Sequence, residues 1–367
     1  MMKNFSLLLM IWMGFLMTAC SEKKEQTVIR GHIPNLPDGT LYIYQDDSSN
    51  RIDSAKTKNG NFTITHQWKP GSVPAYIGID HIDQKGVLRA LNFPTHAKYK
   101  NGTWLSQYFM NDPLIVINGE IKDFEVKNIQ LSEKYKLVTS PEIKAGKQTE
   151  ALFNTDADLF ETINPKTVQT IKEKIAGYPD SYHLLIKINE NRNSFSAQQV
   201  DDFLKSFKGE TTHSEIYKKL QAYNRKRFNE EKISLPLLKD PSGTKKDIAD
   251  KKYKKHLIIF WASWCGPCRQ EIPMLKKMYT LYGQEVEFIS ISTDTQHTSW
   301  QKALKEEQMS WKQLIVNDNA ADNEALQIRF KLNQAIPYTV LVDQNLKIIS
   351  SSTGLSDEKE LEQLIKK

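Results

Sequence analysis

Trp261-Ala262-Ser263-Trp264-Cys265-Gly266-Pro267-Cys268 follows an apolar run, His256–Phe260, and opens a stretch that reads as a helix to about Tyr282. A buried strand, a tight turn and a helix therefore meet at two cysteines three positions apart. Structural zinc ordinarily takes four ligands, and neither a second cysteine pair nor a close histidine pair stands in the chain to complete a half-site. Arg269 follows Cys268, so the haem-attachment form, which ends in histidine, is absent as well. A redox dithiol is left, with no metal and no cofactor beyond the reversible Cys265–Cys268 bond. A cysteine at a helix cap faces unpaired backbone N–H groups and the positive end of the dipole, which favour thiolate, so Cys265 is the expected nucleophile. Cys268, one turn on and expected to be less exposed, is the resolving thiol. Gly266-Pro267 suits the entry, because proline brings a helical φ and lacks a donor that would go unpaired there.

Strands and helices alternate on both sides of this stretch from about Lys232. Strand His256–Phe260 and the Cys265–Tyr282 helix are followed by strand Val286–Ser292, helix Thr298–Glu307, strand Gln313–Val316 and helix Asn323–Lys331. Strands Tyr338–Val342 and Lys347–Ser351 come next, and a last helix is led by Ser356 with Leu361, Leu364 and Ile365 on one face. Near-continuous apolar strands such as Leu257–Phe260 and Thr339–Val342 predict a central sheet covered by helices on both faces, an α/β domain.

Residues 232–367 resemble the thioredoxin fold, and more narrowly the TlpA/ResA-like membrane-tethered thiol-disulfide oxidoreductases. The matching residues are Phe260 to Arg269, then Glu271 and Pro273, and further on Ala335-Ile336-Pro337-Tyr338-Thr339, Val340-Leu341-Val342-Asp343 and Gly354. The resemblance implies a cis Pro337, with the backbone of Ile336 facing Cys265 and pairing with an extended substrate segment. Thioredoxins carry a buried aspartate six residues before the first active cysteine, where this chain has Ile259. Proton relay is therefore expected from Glu271, which matches the acidic residue of the TlpA/ResA-like pattern three residues after Cys268. Burial there would raise its pKa toward neutrality. Trp264 is expected to cover the sulfurs and, with Gly266 and Pro267, to shape partner contact. Trp261 reads as core.

The front of the chain reads as an address. Lys3, the apolar run Phe5–Met17 and the small-residue approach Thr18-Ala19-Cys20 form a signal-peptide pattern. As a helix that run would reach only about 20 Å, against a hydrocarbon core of about 30 Å. Leu16-Met17-Thr18-Ala19-Cys20 resembles a bacterial lipobox, which implies a signal peptide over 1–19 and a lipidated Cys20 with a tether over 20–26. Acyl chains on one residue anchor stably at about 0.8 kcal/mol per buried methylene. The location expected is the bacterial cell envelope, facing the periplasm, where disulfide chemistry is permitted.

Residues 27–122 show short β-like runs: Val28–Ile33, Leu41–Tyr44, Phe62–Thr65, Ala75–Ile79, Val87–Phe93 and Leu114–Ile117, with Asn59-Gly60 as a two-residue hairpin signal. Gly31, Pro37-Asp38-Gly39, Ile52-Asp53-Ser54 and Gly60-Asn61-Phe62 resemble the small β-domain that precedes thioredoxin-like domains in many Bacteroidetes lipoproteins, a resemblance that implies no chemistry. His32, His66, His81 and His96 read as surface or packing residues. Residues 123–231 read as a helical connector, with Tyr182–Ile188 as one helix and Ser196 capping another whose stripe is Val200, Phe203, Leu204 and Phe207. The whole is a multidomain α+β chain.

Composition narrows the class further. The chain has 367 residues, 39% hydrophobic and 26% charged, which excludes disordered, collagen-like and polytopic membrane proteins. Three cysteines make no disulfide framework. A net charge of +6, densest at Lys251, Lys252, Lys254 and Lys255, reads as a solvated surface with no nucleic-acid partner. The leading expectation is an extracytoplasmic thiol-disulfide oxidoreductase, a reductase given its Gly-Pro pair, acting on protein thiols and disulfides and recharged by a membrane reductant, with cytochrome c maturation as one role. A peroxiredoxin is the enzymatic alternative, although the pattern Pro-x-x-x-Thr-x-x-Cys is absent. An envelope docking module is the non-enzymatic one.

Overall fold

The computed structural model describes residues 25–124, 132–316, 319–333, 335–355 and 357–367. The signal segment, Cys20 and the first tether residues lie outside the described residues, as does Ser356. Two units make up the fold: residues up to Pro94 with Leu105–Thr149, and Thr95–Trp104 with Glu150–Lys367.

The first unit is β-rich. Its strands are β1 (Gln26–His32), β2 (Gly39–Gln45), β3 (Arg51–Thr57), β4 (Asn61–Gln67), β5 (Tyr76–Asp83) and β6 (Leu88–Tyr99), whose tip counts with the second unit. They continue with β7 (Gly102–Ser106), β8 (Phe109–Met110), β9 (Leu114–Asn118), β10 (Lys122–Asp123), β11 (Tyr135–Thr139) and β12 (Ile143–Lys144). Four strands pair in the order β12-β9-β1-β4, and a larger sheet runs β10-β11-β6-β5-β2-β3 with β7 on β6 and β8 on β5. Alternation drives the pairing: in β4, Phe62 and Ile64 are buried while Asn61, Thr63 and Thr65 are exposed. Gly31 lets β1 and β9 approach, since a Cβ there would fall 1.9 Å from the Ile117 carbonyl oxygen.

Asn59 and Gly60 take the left-handed φ values of 49° and 73° that a two-residue turn needs, and Lys58 bridges Asn61. The strands on either side then part, because β3 pairs with β2 and β4 with β1. The turn hands the chain from one sheet to the other. Strand pairing also continues past residue 122, where a helical connector was expected to begin: β11 lies parallel to β6, and β12 pairs with β9. In β11 only Val138 is fully buried, so no apolar alternation marks that strand in the sequence.

The second unit opens with helices: α1 (Lys147–Phe153), α2 (Pro165–Gly177), α3 (Tyr182–Glu190), α4 (Ala197–Ser206) and α5 (Glu215–Arg227). Ser196 and Gln199 close a reciprocal capping box at α4, whose Val200, Phe203 and Leu204 are buried. There follow β13 (Leu238–Lys239), β14 (Lys245–Lys246), β15 (Lys255–Trp261), α6 (Gly266–Tyr282), β16 (Val286–Ser292), α7 (His297–Glu307) and β17 (Lys312–Ile315). The last elements are α8 (Ala320–Arg329), β18 (Tyr338–Asp343), β19 (Ile348–Thr353) and α9 (Glu358–Ile365), whose cap is Asp357.

One sheet organises this part, in the order β14-β13-β17-β16-β15-β18-β19. Its centre, β15, β16 and β17, is parallel, and β18 runs antiparallel to β15. Successive residues of β15 serve opposite layers, as the strand period of two requires. Ile258 and Phe260 pack with Leu326 and Phe330 of the α8 side, whereas Leu257 and Ile259 pack with Leu275 and Met278 of α6 and Leu361 and Leu364 of α9. Burial on both faces explains the continuous apolar runs. Among the described residues no helix is long and apolar enough to cross a membrane.

Candidate functional site: a disulfide at the start of α6

Strand β15 ends at Trp261, and the chain turns once before α6 begins. Cys265 is the cap: its backbone is extended (φ −81°, ψ 97°), and its Sγ accepts from the Cys268 N–H at 3.2 Å. Cys265 and Cys268 are joined in a disulfide, with Cα atoms 5.3 Å apart. Pro267 stands in the first turn, where its missing N–H leaves nothing unpaired. A Cβ added at Gly266 would meet nothing within 4 Å, so the surface at that residue, between the two cysteines in sequence, is open.

Exposure does not separate the two cysteines as expected: Cys265 is 4% and Cys268 3% exposed. Position on the helix does. Cys265 sits outside the first turn, facing its N–H groups, while Cys268 lies within it, so the cap effect falls on Cys265. Trp264, the residue before Cys265, is 71% exposed and is open to a partner. Trp261 is buried and packs in one cluster with both cysteines, Ala262, Ile272 and Trp300.

The opposite wall comes from the loop before β18. The Ile336–Pro337 peptide bond is cis. The Ile336 carbonyl oxygen lies 3.9 Å from Cys265 Sγ, a contact without a shared proton while the sulfur is in a disulfide. Pro337 is held from behind, its carbonyl accepting from the Gly354 N–H at 2.9 Å.

Glu271 lies on α6, three residues beyond Cys268, and is 7% exposed. Its Oε1 accepts from the Leu355 N–H at 2.7 Å, while Oε2 is buried with no partner. Burial pushes this carboxyl above its ordinary value, the Leu355 N–H opposes the shift, and Glu360 adds to it. Ile259, where thioredoxins carry their aspartate, is buried against α6 and brings no charge. Cys265, Cys268 and Ile336 thus meet at one surface, and Glu271 stands in the helix behind it.

Asp294 and Arg269, neither of them an expected site residue, hold the turn. Asp294, just past β16, accepts from the Ser263 N–H at 2.8 Å, the Ser263 hydroxyl at 2.6 Å and the Ser292 hydroxyl at 2.6 Å. Ser263 stands two residues before Cys265, so this buried carboxylate fixes the approach to the disulfide. The only trace in the sequence is a polar run, Ser292-Thr293-Asp294, directly after an apolar strand. Arg269, the residue after Cys268, binds Glu307 at 2.6 Å and Glu306 at 2.8 Å, tying the first turn of α6 to α7.

Residues 218–365 match the Redoxin family, a match that begins within α5, and residues 27–103 match a domain of unknown function, DUF4369. The thioredoxin-like protein YneN of Bacillus subtilis is 29% identical over 133 residues, which cover 34% of this chain and 72% of that protein. The thiol-disulfide oxidoreductase ResA of Bacillus thuringiensis is 26% identical over 129 residues, 35% of this chain and 71% of that one. A crystal structure of the thioredoxin domain of a Bacteroides vulgatus thiol-disulfide oxidoreductase is similar at 25% identity and a TM-score of 0.32, covering 36% of this chain and 94% of that one. The family-model match and the two relatives make residues 218–365 a redoxin domain of the TlpA/ResA-like thioredoxin-fold kind, preceded in the same chain by a β-rich stretch that matches DUF4369.

Proposed function

We propose that this chain is a thiol-disulfide oxidoreductase that works through Cys265 and Cys268, tethered to a membrane by lipid on Cys20 and facing the periplasm. The observation that carries the reading is the disulfide at the cap of α6, in contact with the Ile336 carbonyl and flanked in the chain by the exposed Trp264. In the reducing direction the Cys265 thiolate attacks a protein disulfide, forming a mixed disulfide and releasing one substrate thiolate. Cys268, deprotonated with Glu271 as acceptor, then attacks Cys265 Sγ and expels the second substrate thiolate. Two electrons pass to the substrate and the Cys265–Cys268 bond re-forms. A dithiol reductant at the membrane returns the pair to the reduced state.

An extended substrate segment pairs with the Ile336 backbone, and Trp264 supplies apolar contact. Potentials among such proteins run from roughly −270 to −120 mV, and the Gly-Pro pair favours the reducing end. Apocytochrome c cysteines are one substrate class that fits an envelope reductase. The test is direct. Cys265→Ala is expected to abolish reduction of insulin disulfides, and Cys268→Ala to accumulate a mixed disulfide visible by non-reducing electrophoresis and mass spectrometry. Insulin reduction by Cys265→Ala at the wild-type rate would sink the assignment. Release of the protein from the membrane fraction by Cys20→Ala checks the anchor.

A further inference from the structure

Between α8 and β18, where Ile336 presents its carbonyl, the described residues form no helix or strand that would pair their backbone. Buried backbone groups must find partners, and this loop finds several outside the sheet. Its base is closed by the Tyr338 hydroxyl, which donates to the Phe330 carbonyl at 2.9 Å. Its middle is held by Asn193, from a short 3-10 turn between α3 and α4.

Asn193 is 4% exposed, and every polar group of its side chain is used. Its Nδ2 donates to the Leu332 carbonyl at 2.7 Å and to the Gln327 carbonyl at 3.2 Å. Two carbonyl acceptors identify that atom as the nitrogen. Oδ1 accepts from the Tyr223 hydroxyl of α5 at 3.0 Å. The Asn193 backbone N–H donates to Asn333 Oδ1 at 3.0 Å, and Asn333 Nδ2 donates to the Ser194 hydroxyl at 2.8 Å. Around it, Arg192 donates to Gln327 Oε1 at 2.7 Å and lies over the Tyr223 ring at 4.5 Å. Arg227 holds the Arg192 carbonyl at 2.8 Å. Leu332, whose carbonyl is thus gripped, packs in the same core cluster as Ile336.

We infer that Asn193 is a positioning residue: the short turn after α3, backed by α5, holds Gln327, Leu332 and Asn333 at the start of the loop that leads to β18, and so sets where the Ile336 backbone meets a protein substrate beside Cys265. This gives residues 182–227 a part in substrate recognition, and it rests on the oxidoreductase reading above. A small disulfide, which does not span to the Ile336 backbone, would be indifferent to it.

The experiment uses the full chain with Asn193→Ala, thermal unfolding to show a folded variant, and two substrates, insulin and bis(2-hydroxyethyl) disulfide. The expected result is a KM for insulin raised about fivefold with kcat unchanged, a small-disulfide rate within about twofold of wild type and an unchanged Cys265–Cys268 potential. Equal losses on both substrates, or an unchanged KM in a folded variant, would overturn the inference. Where Asn193→Ala unfolds, Asn333→Ala removes one anchor at a more exposed position. It is expected to show the same split at a smaller size, and a parallel loss or none overturns the inference equally. A wild-type chain that reduces neither substrate would instead refute the oxidoreductase reading itself.

Discussion

Two buried glutamates, one on α6 behind the disulfide and one on β16 of the central sheet, are treated in opposite ways. At the end far from the disulfide, Glu287 of β16 uses both oxygens. Oε2 meets His256 Nδ1 at 2.8 Å and accepts from the Asp250 N–H at 2.7 Å, and Lys312 lies 3.4 Å from Oε1. Burial pushes this carboxyl up, but His256, the Asp250 N–H and Lys312 outweigh it and leave Glu287 below its ordinary value. Behind the disulfide, Glu271 keeps one oxygen unpartnered and is held above its ordinary value. A fully partnered carboxylate stays charged and holds structure together. A half-partnered one is held above its ordinary value, which suits the proton transfer proposed for it.

The largest effect that could break this contrast is catalytic. Glu271→Gln keeps the acceptor for the Leu355 N–H and removes only the titrating group. Turnover of a protein disulfide at neutral pH is expected to fall roughly 100-fold, at the lower end of what a positioned acid or base contributes. The fall should lie in the step that resolves the mixed disulfide, read as accumulation of that species in a single turnover. Wild-type resolution by Glu271→Gln would place Glu271 with Glu287, as structure.

Next in size is stability. Glu287→Gln is expected to cost about 1–3 kcal/mol, because it weakens charge-assisted hydrogen bonds in a buried setting, with turnover unchanged. The pH dependence separates the two residues by sign. A carboxyl held below its unfolded pKa contributes stability above that pKa and loses it as pH falls through the folded value. Glu287 is of this kind. A carboxyl held above its unfolded pKa does the reverse: the folded state is favoured at low pH, and that contribution is lost as pH rises through the folded value. Glu271 is of that kind. Denaturant melts from pH 3 to 8 should therefore show Glu287→Gln losing stability relative to wild type mainly above about pH 4, and Glu271→Gln gaining it over the same range. Slopes of the same sign for both variants would end the comparison.

The elements around the disulfide were legible because their causes are local. A cap, a first-turn proline and a continuous apolar strand place Cys265, α6 and β16 without reference to the rest of the chain. Ile259 likewise showed in advance that the thioredoxin aspartate is missing. Strand β3, Arg51-Ile52-Asp53-Ser54-Ala55-Lys56-Thr57, has almost no apolar alternation and forms because β2 offers it an edge. Strand β12 depends in the same way on β9. The equal burial of the two cysteines and the reach of Asn193 to Leu332 depend on contacts between residues far apart in sequence, which no periodicity records. Asp294 is the same case within the site.

Asp294 also removes a confusion that Glu271 and Glu287 leave, since those two differ in location as well as in partners. Asp294 stands at the disulfide end, tied to the turn by two hydrogen bonds from Ser263, yet three donors occupy its oxygens. If nearness to the sulfurs decided a carboxylate's part, Asp294→Asn would alter the pH–rate profile as Glu271→Gln does. If partnering decides it, the profile keeps its shape. The substitution then costs about 1 kcal/mol of stability, since the amide turns a donor toward one of the Ser263 or Ser292 donors. The second outcome is expected, the smallest effect of the three, read from denaturant midpoints beside turnover at four or five pH values. A displaced profile would show that the field of any charge at this end of the sheet reaches the thiols, and the unpartnered Oε2 of Glu271 would lose its special standing.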